Sequence, residues 1–334
     1  MNSSMVNYVN ESLSDPIASQ FDCNLANAIG FATGLLLFLE TSVAMAVCGV
    51  VLYLIHRVKL VKSHSFFVLL VYQIICDVLC LVYTFATSLS MITERYFINK
   101  KTNIIFGYWE KCAYSLQLYM YILLATARLI ATLQIKYPKL KNLPLTTRKT
   151  YIICIILITI ITFTETIWYA LVKKNLRYYE PKCGTSIMEF PNPSILGETK
   201  RYWATKEMGS WGFSAVFYIL CYLVLTRSRS KVVNAESTNQ QSNASSNKKE
   251  KNFLILSAIS LVLQTIVGIT WRISMTIYYY TEIVNSMSTS ILSLMLIQSL
   301  RREFMVILGW KSGQTVTTTN VSQHNTVSQK IDNR

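Results

Sequence analysis

Apolar residues along this chain gather into seven stretches, 28–55, 66–91, 112–135, 150–172, 208–226, 253–271 and 277–300, divided by polar segments. A helix needs about 20 mostly apolar residues to cross the ~30 Å hydrocarbon core of a bilayer. Lipid offers no partners for backbone N–H and C=O groups, so each spanning segment must satisfy them internally as a helix. The pattern predicts an all-α membrane protein, a seven-transmembrane helix bundle occupying residues 28–300 behind an extracellular segment 1–27. A buried core helix imitates one such stretch, but a soluble domain does not string seven together. A mean hydropathy of +0.34, with 52% hydrophobic and 15% charged residues, agrees.

Leu300, Phe304, Ile307 and Leu308 recur at helical spacing past the last stretch, while Arg301, Arg302 and Glu303 face elsewhere. That pattern predicts a short amphipathic helix over 301–310, lying on the membrane surface. The segments 231–250 and 311–334 are rich in Ser, Asn, Gln and Thr. They hold too little apolar surface to offset the entropy of ordering, so a disordered cytoplasmic loop and tail are expected.

Charge sets the orientation. Arg57, Lys59 and Lys62 follow the first stretch, and Lys136, Lys139, Lys141, Arg148 and Lys149 follow the third. Arg227, Arg229, Lys231, Lys248, Lys249 and Lys251 lie between the fifth and sixth, whereas the N-terminal segment carries Glu11, Asp15 and Asp22 without Lys or Arg. Positive residues favour the cytoplasmic side, which puts the N-terminus outside and the C-terminus inside. The segment 173–206 is also Lys/Arg-rich, but long loops translocate largely regardless of charge. The net charge of +15 therefore reflects topology and contact with anionic lipid headgroups rather than nucleic-acid binding. Asn2 and Asn10 each open an Asn-x-Ser glycosylation triplet on the expected outer side,. The polar segment 1–22 is no cleavable signal, so the first span is expected to direct insertion.

Ionisable groups within spans are expensive and mark either function or interhelical hydrogen bonds. Here they are Glu40, Asp77, Arg128 and Glu165, with Arg272 and Glu282 towards the outer rim. The three histidines, His56, His64 and His324, make no metal spacing, and no nucleophile–base set or Gly-rich phosphate loop is visible. The chain is expected to be no enzyme and to need no cofactor. Gly30 and Gly34 form a small-xxx-small pattern that packs helices. Cys48, Cys76, Cys80, Cys154 and Cys221 fall within spans, while Cys23, Cys112 and Cys183 sit on the outer side, where their connectivity is not readable from spacing,.

Lys59-Leu60-Val61-Lys62-Ser63-His64-Ser65-Phe66-Phe67-Val68-Leu69-Leu70, entering the second span, resembles the Phe-His-x-Asn-x-Lys-x-Leu-Leu segment of the nematode serpentine chemoreceptors of the Sra, Srab, Srb and Sre group. Ala127-Arg128-Leu129-Ile130-Ala131-Thr132 is similar to that group's Glu-Arg-x-x-Ala-Thr, with Ala127 where the group carries Glu. The resemblance implies a G-protein-coupled chemosensory receptor of the plasma membrane or sensory cilium, binding a small-molecule cue and a heterotrimeric G protein. It implies a Cys112–Cys183 disulfide on the outer side and places Arg128 at the inner end of the third span.

A ligand is then expected in the outer half, with Tyr119, Trp168, Tyr169, Trp271, Arg272, Tyr278, Tyr279 and Glu282 as candidate contacts. Trp and Tyr also gather at membrane interfaces without any ligand. Arg272 either clamps an anionic ligand group or forms a rim salt bridge with Glu282. Arg128, Lys136, Lys139, Arg227 and Lys251 are the candidate G-protein contacts. A seven-span channel or carrier is the alternative, although no internal repeat is present and the six prolines all lie outside the stretches,.

Overall fold

A computed structural model describes residues 16–63, 65–93, 95, 99–137, 140, 144–171, 176–180, 185–189, 193–232, 255, 258–270 and 275–310. Asn2, Asn10, Lys139, Cys183, Lys251, Trp271, Arg272 and the tail 311–334 lie outside the described residues, as does the side chain of Arg227.

Apart from Ile297, every apolar stretch is helical where described. The helices are α1 (Pro16–Arg57), the short α2 (Leu60–Ser63), α3 (Phe66–Thr93), α4 (Lys100–Lys136), α5 (Arg148–Leu171) and α6 (Pro193–Val232). They continue with α7 (Ala258–Thr270), α8 (Met275–Leu296) and α9 (Gln298–Ile307). Five contain segments that are each long and apolar enough to cross a membrane, and the α8–α9 pair passes together with a 93° bend between them.

Several helices outrun the apolar pattern. α4 starts at Lys100, so Glu110 and Lys111 lie inside the helix rather than in a preceding loop. Asn99 caps it, its side chain accepting from the Thr102 amide at 2.8 Å, which satisfies one of the unpaired N–H groups of the first turn. α6 begins at Pro193, a residue whose fixed φ suits the first helical position. The last span ends at Leu296, and Leu300 belongs to α9. Gly309 closes α9 at φ +72. Its N–H donates to Val306 and that of Trp310 to Met305, the paired bonds of a left-handed cap that a residue with a Cβ adopts at a cost.

Between α5 and α6 the chain forms a two-stranded antiparallel hairpin, β1 (Leu176–Glu180) with β2 (Thr185–Glu189), in the register Leu176 to Glu189 and Glu180 to Thr185. β1 lies against α4 and β2 against α8, so the hairpin spans one end of the bundle. α9 marks the opposite end, where Glu303 binds Arg57 at 2.8 Å.

The main core runs through α1, α3, α4 and α8, from Leu37 and Leu69 to Met120 and Ile283. A smaller cluster joins Ala125, Tyr218 and Leu261 of α4, α6 and α7. Ser and Thr hydroxyls within the helices largely bond back to a carbonyl one turn earlier, as at Ser90, Thr126, Thr162 and Ser293. That back-bonding lets an apolar helix carry hydroxyls without exposing an unmet polar group to lipid.

Candidate functional site

One face of α4 carries Glu110, Tyr114, Gln117, Tyr121 and Arg128 at steps of three or four residues, apart from the small Ala125 between the last two. At that spacing they stack on one side of the helix, and this side faces the bundle interior. The result is a polar column running from the hairpin end to the α9 end.

At the hairpin end Glu110, Glu207 and Glu282 are all buried, at 1%, 3% and 1% exposure. Tyr278 donates to Glu110 at 3.2 Å, Tyr114 bonds Glu207 and lies near Glu282, and Tyr279 packs on Tyr83. Helices α3, α4, α6 and α8 thus enclose a chamber of carboxyls and tyrosines. Glu282 is buried in this group rather than exposed at the rim, and Arg272, its expected salt-bridge partner, lies outside the described residues.

Halfway along, Asp77 of α3 is fully buried and accepts from Gln73 and Gln117, each at 2.9 Å. Asn285 of α8 donates to Gln264 of α7 at 2.7 Å, and Ser290 of α8 reaches Cys48 of α1 at 3.4 Å. Two buried amides and hydroxyls on facing helices bonded in this way lock register at modest energy. At the α9 end Arg128 is buried, with its guanidinium 3.2 Å from the centre of the Phe66 ring. It holds a partner helix and does not reach out to water.

A second cluster lies between α4, α5 and α6. Lys206 donates to both oxygens of Glu165, at 2.8 and 2.6 Å, and Tyr202 and Tyr119 donate to the same carboxylate. The Lys206 ammonium also faces the Tyr119 and Trp203 rings, and Lys111 sits 3.7 Å over Tyr169. Glu165 is therefore an interhelical tie.

The expected ligand contacts divide accordingly. Tyr278, Tyr279 and Glu282 share the chamber, whereas Tyr119 and Tyr169 join the lysine cluster. Trp168 is 53% exposed beside Ile167 and Leu171 on the outward face of α5, where an aromatic side chain meets lipid, so it joins neither. Lys136 is half-buried near the end of α4, by the Tyr137 ring. Glu40 is half-buried on α1, near Tyr280. Cys112 is a buried thiol, and Cys183, to which the expected bridge would run, lies outside the described residues. Its thiol lies near Thr166 and Lys206 in the helix contact. Sequence reading missed Glu110, Lys111, Lys206 and Glu207 because it placed them in loops or at an uncertain span edge. The three-and-four spacing from Glu110 to Arg128 was the available signal.

Squid rhodopsin in its crystal structure superposes on this architecture with a TM-score of 0.70, over 85% of this chain and 86% of that one, at 8% identity. The chain has the seven-helix fold of rhodopsin. No family model and no curated protein matches the sequence. Within this bundle the buried polar groups along α4 lie at both ends and halfway between, with the apolar Ala125 separating Tyr121 from Arg128.

Proposed function

We propose that the protein is a G-protein-coupled chemosensory receptor, with the hairpin end outside and the α9 end facing the cytosol. The observation that carries this reading is the set of buried polar and charged groups spaced along the bundle interior, the Glu110–Glu207–Glu282 chamber at one end, Asp77 halfway and Arg128 at the other. Buried polar groups that bridge helices have discrete arrangements, and a ligand that favours one arrangement shifts the population by its differential affinity. The small molecule would contact Glu110, Tyr278, Tyr279 and Glu282, together with Trp271 and Arg272, which precede α8 in the sequence. The G protein would meet Arg128, Lys136, Lys139, Arg227 and Lys251 when the α9 end opens. Membership of the nematode serpentine group, and residence in the plasma membrane or a sensory cilium, belong to the same proposal.

Screening small molecules on cells that express the full chain with a G protein and a GTP-analogue loading readout tests it. An agonist should load the G protein, and Tyr278→Phe, which removes the bond to Glu110, should lower its potency at matched surface level. Ligand-evoked currents that persist when G proteins are blocked would instead establish a channel.

A further inference from the structure

Among the described residues, Arg128 and Phe66 form the most enclosed charge–ring contact at the α9 end of the bundle. The guanidinium carbon lies 3.2 Å from the ring centroid, and the two residues are 2% and 4% exposed. Such a contact needs a planar, weakly hydrated cation, and arginine stacks on an aromatic face where lysine presents only a point charge. Removal from water strengthens the attraction, because the surroundings screen it less.

The chain fixes both partners. Phe66 is the first residue of α3, and it follows a short connection in which Lys59 takes φ 55 and α2 supplies a single helical turn. Phe66 and Ala127 belong to the same buried core cluster, and Ala127 gives Arg128 no neighbouring carboxylate on its own helix. Thr132, one turn nearer the end of α4, is buried as well, at 3% exposure. The face of α4 that a cytosolic partner would read is closed from Arg128 to Thr132.

We propose that Phe66 is the positioning residue for Arg128: its ring lids the guanidinium and holds the α9 end closed, and its withdrawal exposes Arg128 to the partner. The identity of that partner rests on the receptor reading above, but the lid itself does not. A desolvated stack of this kind biases a closed-to-open ratio by about tenfold or more.

The test uses the full chain in open membrane fragments, with Thr132→Cys as reporter and a maleimide as probe. Labelling is taken as the difference from the same chain without the reporter. Phe66→Leu keeps apolar bulk but removes the ring face, and should speed labelling of the new cysteine about tenfold. Phe66→Tyr keeps the ring and should label at the parental rate. Arg128→Lys, which keeps the charge but loses the plane, should also speed labelling and serves if Phe66→Leu fails to reach the membrane. Ligand-free GTP-analogue loading of an added G protein should rise with the labelling rate. Parental labelling in both Phe66→Leu and Arg128→Lys overturns the lid, as does equal acceleration by Phe66→Leu and Phe66→Tyr, which would make it a packing effect. Faster labelling without any gain in loading leaves the lid in place and removes the G protein as its reader.

Discussion

Two glycines show how little of a residue's role is carried by its identity. Gly30 and Gly34 read alike in the sequence, yet a Cβ built on Gly30 meets nothing, whereas one on Gly34 comes within 2.8 Å of the Met91 Cβ and 3.1 Å of the Ile92 amide. Gly34 is where α1 and α3 cross closely, as small residues allow. Gly268 is tighter still, because a methyl group there would overlap the Trp211 ring of α6. Gly268→Ala should therefore lower stability by about 1–3 kcal/mol through overpacking, with Gly30→Ala close to neutral, as read by thermal unfolding in detergent. Adding Trp211→Leu should return part of the loss. If Gly268→Ala melts like the parent, α6 and α7 do not meet there. Asp77 gives a second residue-scale expectation: Gln117→Leu removes one of its two 2.9 Å donors. The cost should be near ~0.6 kcal/mol and no more than ~1.7, the range of membrane hydrogen bonds.

At the scale of elements, α5 and α6 show what holds two helices whose outward faces are apolar and whose mutual contact carries charge. The Glu165–Lys206 pair is nearly buried, with side-chain exposures of 11% and 7%. Removing one partner strands the other in a low-dielectric setting, so Glu165→Leu or Lys206→Met alone should cost about 3 kcal/mol or more. The double change, which replaces the pair by packed apolar groups, should restore much of that. Equal losses in the double and the single variants would mean that the pair positions something further. The contact between α9 and α1 is different, because Arg57 is 46% exposed in its 2.8 Å bridge to Glu303. Reversing either charge should change stability by less than ~1 kcal/mol, and the effect should fade at high salt. The existence of α9 was legible in its apolar spacing. Its 93° departure from α8 is set where Ile297 leaves helical backbone at φ −93 and ψ 103.

For the whole molecule, the lysine and arginine asymmetry predicts which end faces the cytosol. Tags at the two ends, probed on intact and permeabilised cells, should show the N-terminal tag on intact cells and the C-terminal tag only after permeabilisation. Surface labelling of the C-terminal tag would reverse the bundle and with it the proposed signalling direction. The sequence alone determined that the chain crosses a membrane by helices and roughly where, because the bilayer imposes a length and an apolar content that a linear pattern must display. It also marked Asp77, Arg128 and Glu165, since charge within an apolar run is visible in one dimension. What these groups touch was decided by tertiary structure. Gln117, Phe66 and Lys206 are 40, 62 and 41 positions from the residues they meet, and no local periodicity encodes a contact across helices. The chamber of Glu110, Glu207 and Glu282 was hidden for a related reason. Each of these residues sits near a span end, where a charge in a loop and a charge on the first turns of a helix look the same until neighbouring helices bury one side of it.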